Sequence, residues 1–99
     1  MAIAMLLEWS GMDEAKYLAL VDRLALGDRM FPGAMTHVAG PTDDGWRVVD
    51  VWDSHEAFDR FWEEKLQEAS GHVGIQAPSV SVWPVFTIRT PQGVPEPQQ

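Results

Sequence analysis

The chain has no cysteine, so disulfides, thiolate nucleophiles and Cys-ligated zinc are all excluded. Positive charge is scarce: seven Lys and Arg against fifteen Asp and Glu leave a formal net charge of −8. Nucleic acid and anionic membrane surfaces are held through basic patches, so neither is expected as a partner. No apolar run is long enough to span a bilayer. The opening MAIAMLLEWSGM also lacks a positive n-region, so it is expected to be an internal first strand of a cytoplasmic protein. No glycine-rich phosphate loop is visible: Gly40 to Gly45 carries two acids and a proline, and no helix follows it directly. The three histidines, His37, His55 and His72, fall on separate expected elements with no H-x-x-x-H pair, so no metal site is expected. No serine sits in a nucleophile elbow, and Ser10 and Ser54 stand where helix caps belong.

What the chain does have is tryptophan, five in 99 residues, more large aromatic surface than a small monomer needs. This length makes one domain, burying roughly two-thirds of the surface that its unfolded form exposes. A single domain over residues 1–89 is expected, followed by a flexible Pro- and Gln-rich tail over residues 90–99.

Ile3 to Trp9 is a nearly continuous apolar run of strand length, as in a strand buried on both faces. Ser10 with Asp13 three residues on reads as a capping box. Tyr17, Leu20, Val21 and Leu24 then recur at helical spacing, with Gly27 as the stop. Ala34 to Gly40 is expected as the second strand, Pro41 to Gly45 as its turn, and Trp46 to Trp52 as the third strand. Asp53 or Ser54 caps a second helix whose stripe is Phe58, Phe61, Trp62, Lys65 and Leu66, ending at Ser70-Gly71. Val80 to Ile88 is the expected fourth strand, where Pro84 demands an edge position or a bulge.

The order β-α-β-β-α-β is ferredoxin-like, an α+β fold with a four-stranded antiparallel sheet and two helices on one face. Two short helices cover one sheet face only. Strands one, three and four would still present large apolar side chains on the other, which predicts a homodimer through that face.

The stretch HVAGPTDDGWRVVDVWDSHEAFDRF, a Val-rich strand leading into W-x-S and an A-F-x-x-F helix, resembles the dimeric α/β-barrel superfamily. Within it, the chain is similar to the antibiotic-biosynthesis-monooxygenase-like group, over residues 1 to about 88. The resemblance implies a homodimer whose sheets pack as a barrel, with a pocket between each sheet and its own helices. Characterised members of the group include cofactor-free quinone-forming monooxygenases, polyketide cyclases and haem-degrading enzymes. The haem branch needs an axial histidine from the second helix, and neither His55 in its first turn nor His72 past its expected end suits that role. No cofactor is therefore expected.

His37 is the most informative titratable residue, mid-strand among apolar neighbours. If Pro41 pairs with Trp46 across a four-residue turn, His37 falls opposite Asp50 on one sheet face. A register shorter by one would put them on opposite faces. A facing pair could act as general base and orienter, or be a satisfied polar pair in a barrel wall. Asp50 interrupts V-V-D-V-W, and a buried carboxylate needs a partner: His37, Arg47, Arg89 or a group of a second subunit.

Trp52 shares the face of Asp50. Tyr17, Phe61 and Trp62 could close an aromatic cavity over it, suited to a phenol, quinol or polyketide-like compound, or could be plain core. Two functions follow: a small-molecule monooxygenase or cyclase, or a non-catalytic dimeric module that binds a small hydrophobic ligand or serves only in assembly. Cavity volume discriminates them, since an enzyme pocket occupies roughly 300 Å³ or more beside a polar group.

Overall fold

The computed structural model describes residues 1–93. The elements run β1 (Ile3–Ser10), α1 (Glu14–Leu24), β2 (Ala34–Pro41), β3 (Gly45–Trp52), α2 (His55–Phe61), a π-helical stretch (Trp62–Leu66), α3 (Gln67–Val73) and β4 (Ser79–Pro84). All pairings are antiparallel, in the order β2-β3-β1-β4. This is the ferredoxin-like arrangement expected from the sequence.

The central strands β1 and β3 owe their place to their composition. Met5, Leu7 and Trp9 of β1 alternate on one face, opposite Asp50, Val48 and Trp46 of β3. All of these are buried, and they pack against Leu20 of α1 and Ala57, Phe58, Leu66 and Ala69 of the second helical run. Each fully buried side chain here, such as Leu7 or Met5, stabilises the fold by about 1.5–3 kcal/mol. The opposite face carries Leu6, Val49, Val51 and, on β2, Val38, with no helix over it. Arg47 on that face pairs with Glu8 across the strands, Nη2 to Oε2 at 2.8 Å.

Several boundaries differ from expectation. The α1 cap is Asp13, whose carboxylate accepts from the Lys16 amide at 2.9 Å. Ser10 cannot cap, because β1 extends through it to pair with Gly45. The helix closes at Ala25 in the left-handed conformation, two residues before Gly27. Ser54 caps α2 by accepting from the Ala57 amide. The run passes through Ser70-Gly71 and stops at Gly74, at φ 82°. Ala69 and Ser70 are buried, so packing holds the helix through its glycine. His72 consequently lies inside the helical run rather than beyond it, and shares that run with His55.

β4 is an edge strand and ends at Pro84, where the sequence suggested a strand to Ile88. The next amide, Val85 N–H, still bonds the Ala2 carbonyl at 2.9 Å in the same register, and the ladder ends there, where β1 begins. Thr90 and Gly93 close a small turn through paired backbone bonds. The rest of the expected tail, residues 94–99, lies outside the described residues. No helix among the described residues is long and apolar enough to cross a membrane.

Candidate functional site

The β2–β3 turn builds the site. Pro41 pairs with Trp46, and the Thr42 amide closes the turn on the Gly45 carbonyl at 2.9 Å. From that register His37 stands opposite Asp50. Beyond His37 a bulge around Met35 changes the count, so that Ala34 pairs with Trp52 while Thr36 pairs with Val51. A regular strand would put residues three apart on opposite faces. The bulge lets Ala34 and His37 both line the helix-facing cavity.

His37 uses both ring nitrogens. Nδ1 lies 2.7 Å from Asp50 Oδ1, and Nε2 lies 2.7 Å from the Tyr17 hydroxyl oxygen. A carboxylate only accepts, so Nδ1–H donates to Asp50, and in the neutral imidazole the Nε2 lone pair then accepts from Tyr17 O–H. The Trp52 indole N–H reaches the second Asp50 oxygen at 3.4 Å. Asp50 is 6% exposed, whereas the His37 side chain is 40% exposed. The chain of bonds therefore runs from a buried carboxylate out to the rim. Arg47, one suggested partner of Asp50, stands on the other face and is engaged by Glu8. Burial, and after it the Asp50 charge, push the Tyr17 phenol above its ordinary pKa of 10.0.

Over this pair lies a cavity of about 250 Å³ between the sheet and the helices. It is a little under the roughly 300 Å³ lower bound for ligand pockets, yet well above the ~150 Å³ that accommodates benzene. Tyr17, Leu20 and Leu24 of α1, the segment 26–31, and Phe58, Phe61 and Leu66 form its walls. Trp52 lies at its floor, 5.6 Å from Phe58 and 5.4 Å from Phe61 between ring centroids. The lining is mostly apolar, with His37, Asp50 and Tyr17 gathered at one side.

Of the residues singled out from sequence, the structure brings together His37, Asp50, Tyr17, Trp52 and Phe61. It does not bring Trp62, which is half-buried against the core and does not line the cavity. Trp62 opens the π-helical stretch, and the Gln67 amide bonds its carbonyl five residues back. Sequence reasoning missed two things. It took Tyr17 for a wall, not for the hydrogen-bond partner of His37. It also passed over Phe31, which is buried, lines the cavity and sits 5.3 Å from Phe61. A large apolar residue inside the polar loop DRMFPG was the available signal. His55 is exposed and bonds Asp59 at 3.2 Å, and His72 is also exposed, so neither reaches the cavity. No cluster of three or more metal-ligating side chains occurs among the described residues.

No family model matches the sequence, and no curated protein does. Solved structures do match. The protein Rv0793 of Mycobacterium tuberculosis aligns over 91% of this chain and 100% of its own, with TM-score 0.68 and 15% identity. SnoaB of Streptomyces nogalater, a cofactor-independent oxygenase, aligns over 88% of this chain and 95% of its own, with TM-score 0.66 and 14% identity. A candidate antibiotic biosynthesis monooxygenase of Chloroflexus aurantiacus aligns over 86% and 94%, with TM-score 0.61 and 20% identity. At these identities the likeness is one of fold. The chain is a small protein with the fold of the antibiotic-biosynthesis-monooxygenase-like proteins.

Proposed function

We propose that the protein is a cytoplasmic homodimeric enzyme that ionises the hydroxyl of a small aromatic or polyketide-like compound and so prepares it for cofactor-free oxygenation or cyclisation. The observation that carries this is a His–Asp pair set into the wall of a mostly apolar, aromatic cavity. His37 is the base, and Asp50 holds its tautomer and offsets the imidazolium that forms. Tyr17, Trp52, Phe31 and Phe61 enclose the ring system. The substrate anion would be the electron donor to dioxygen in an oxygenase, or the carbon nucleophile in a cyclase. A cavity of about 250 Å³ suits one or two fused rings better than a large polyketide. SnoaB, an oxygenase that needs no cofactor, has the same fold, which supports the reading. The homodimer is supported by the uncovered sheet face, where Val38 is 66% exposed and Trp83 46% exposed.

The test is oxygen uptake and absorbance change with a panel of phenols, quinols and dihydroxynaphthalenes. Turnover by the wild type should fall by about 10²–10⁴-fold in His37→Ala. Equal rates would remove His37 as the base. Binding without turnover across the panel would instead favour a non-catalytic dimeric module that holds a small hydrophobic ligand.

A further inference from the structure

We infer that Tyr17 is the catalytic residue that meets the substrate hydroxyl, as the outer member of a proton relay running Tyr17–His37–Asp50. This rests on the functional reading above and changes which atom touches the substrate. A base in direct contact needs a free lone pair, and His37 has none to offer the cavity. Nδ1 is engaged by Asp50 and Nε2 by Tyr17, each at 2.7 Å. Swinging Tyr17 aside would break that bond and also unstack its ring from Trp46, at 4.9 Å between centroids and 26° between planes. The Tyr17 oxygen keeps acceptor capacity, because a hydroxyl has one donor and two lone pairs. Tyr17 itself lines the cavity.

The step balances without electron transfer. The substrate O–H donates to the Tyr17 oxygen. That O–H bond breaks as a new Tyr17 O–H forms, while the original Tyr17 proton moves to His37 Nε2. The products are the substrate anion, a neutral Tyr17 and an imidazolium paired with Asp50. The regenerated Tyr17 O–H then donates to the new anion, so the relay also stabilises the charge it creates. A free tyrosinate is never required. That accords with a phenol whose ionisation is opposed by burial and by the Asp50 charge.

The experiment binds 7-hydroxycoumarin without oxygen, at a pH above the ordinary imidazole value of about 6.5 where the free probe is still mostly neutral, and reads its neutral and anionic absorbance bands. Wild type should bind it as the anion. Tyr17→Phe keeps the ring stacked on Trp46 and should bind the probe about equally well, with the bound anion reduced about tenfold or more. His37→Ala should give the same result, and melting curves confirm that both variants fold. If Tyr17→Phe binds the anion as wild type does while His37→Ala does not, the proton goes directly to His37 and the relay is overturned. If wild type binds the probe only in its neutral form, no relay operates. A wild type that binds no probe at all removes the functional reading itself, a different failure from either of these.

Discussion

The Tyr17 phenol is the chain's one tyrosine, so its ionisation can be followed by absorbance without overlap from another phenol. Its pKa is raised above 10.0, first by burial and then by the Asp50 charge. The sign of the linkage follows. Above pH 10 the unfolded chain loses this proton before the native chain does, so the native state binds more protons and stability falls as pH rises. Below that value the group is neutral in both states and has no effect. Denaturant unfolding between pH 9 and 11 should therefore show a steeper loss of stability in wild type than in Tyr17→Phe. Parallel curves would mean that Tyr17 is solvated like a free phenol. Asp50→Asn addresses the other end of the relay. The amide matches the carboxylate in shape but offers no anion to hold Nδ1–H, so turnover should fall by about a hundredfold or more while the fold persists. At this scale the sequence was partly readable. His37 opposite Asp50 follows from counting residues through one turn, a local matter. The Tyr17–His37 bond depends on how α1 lies over the sheet, and no local pattern in the chain encodes that.

Among the elements, the clearest legibility and the clearest miss both concern how α1 begins. The apolar repeat of Tyr17, Leu20, Val21 and Leu24 identified the helix, but the capping box read from Ser10 and Asp13 started it three residues early. Pairing with β3 extends β1 to Ser10, and only then does Asp13 fall at the cap. Asp13→Ala should cost about 1 kcal/mol, whereas Ser10→Ala should change stability by only a few tenths, as denaturant midpoints would show. The reverse order would return the cap to Ser10. The same pairing explains Gly45. A Cβ at this position would collide with the Trp9 carbonyl oxygen, a backbone atom that cannot swing away. Gly45→Ala should therefore destabilise by about 1–3 kcal/mol or more, and it should also disturb the turn that sets His37 against Asp50. Turn residues at 41–45 were plain in the sequence, but the close approach of β1 was not. The later ends went astray for a similar reason. Burial of Ala69 and Ser70 carries α3 past Gly71, and β4 stops at Pro84 because its partner β1 begins at Ile3, leaving Val85 one last bond to Ala2. Both are long-range matters that no local stop or start signal encodes.

For the molecule as a whole, the question is what covers the second face of the sheet. The run WRVVDVW is apolar on both faces, and this was legible at once because strand side chains alternate. The structure spends Trp46, Val48 and Trp52 on the core and leaves Val49 and Val51 on the uncovered face beside Leu6, with Val38 and Trp83 more exposed still. The charges on that face are already matched within the chain, since Glu8 and Arg47 pair with each other. A second copy could therefore close over it without stranding a charge. A stable homodimer of ordinary size hides about 800 Å² on each partner, an area that one face of a four-stranded sheet can supply. Each chain carries a net charge of −8, so two copies repel through solvent while their apolar faces attract. Salt screens the first effect and not the second. Sedimentation should show a dimer that tightens as ionic strength rises. Val49→Lys puts an ammonium at the centre of the face, opposite Leu6, without touching the core, so it should yield a folded monomer with unchanged circular dichroism. If Val49→Lys stays dimeric, the association runs through another surface. If wild type is monomeric at every salt concentration, the open face must be covered by something other than its own copy.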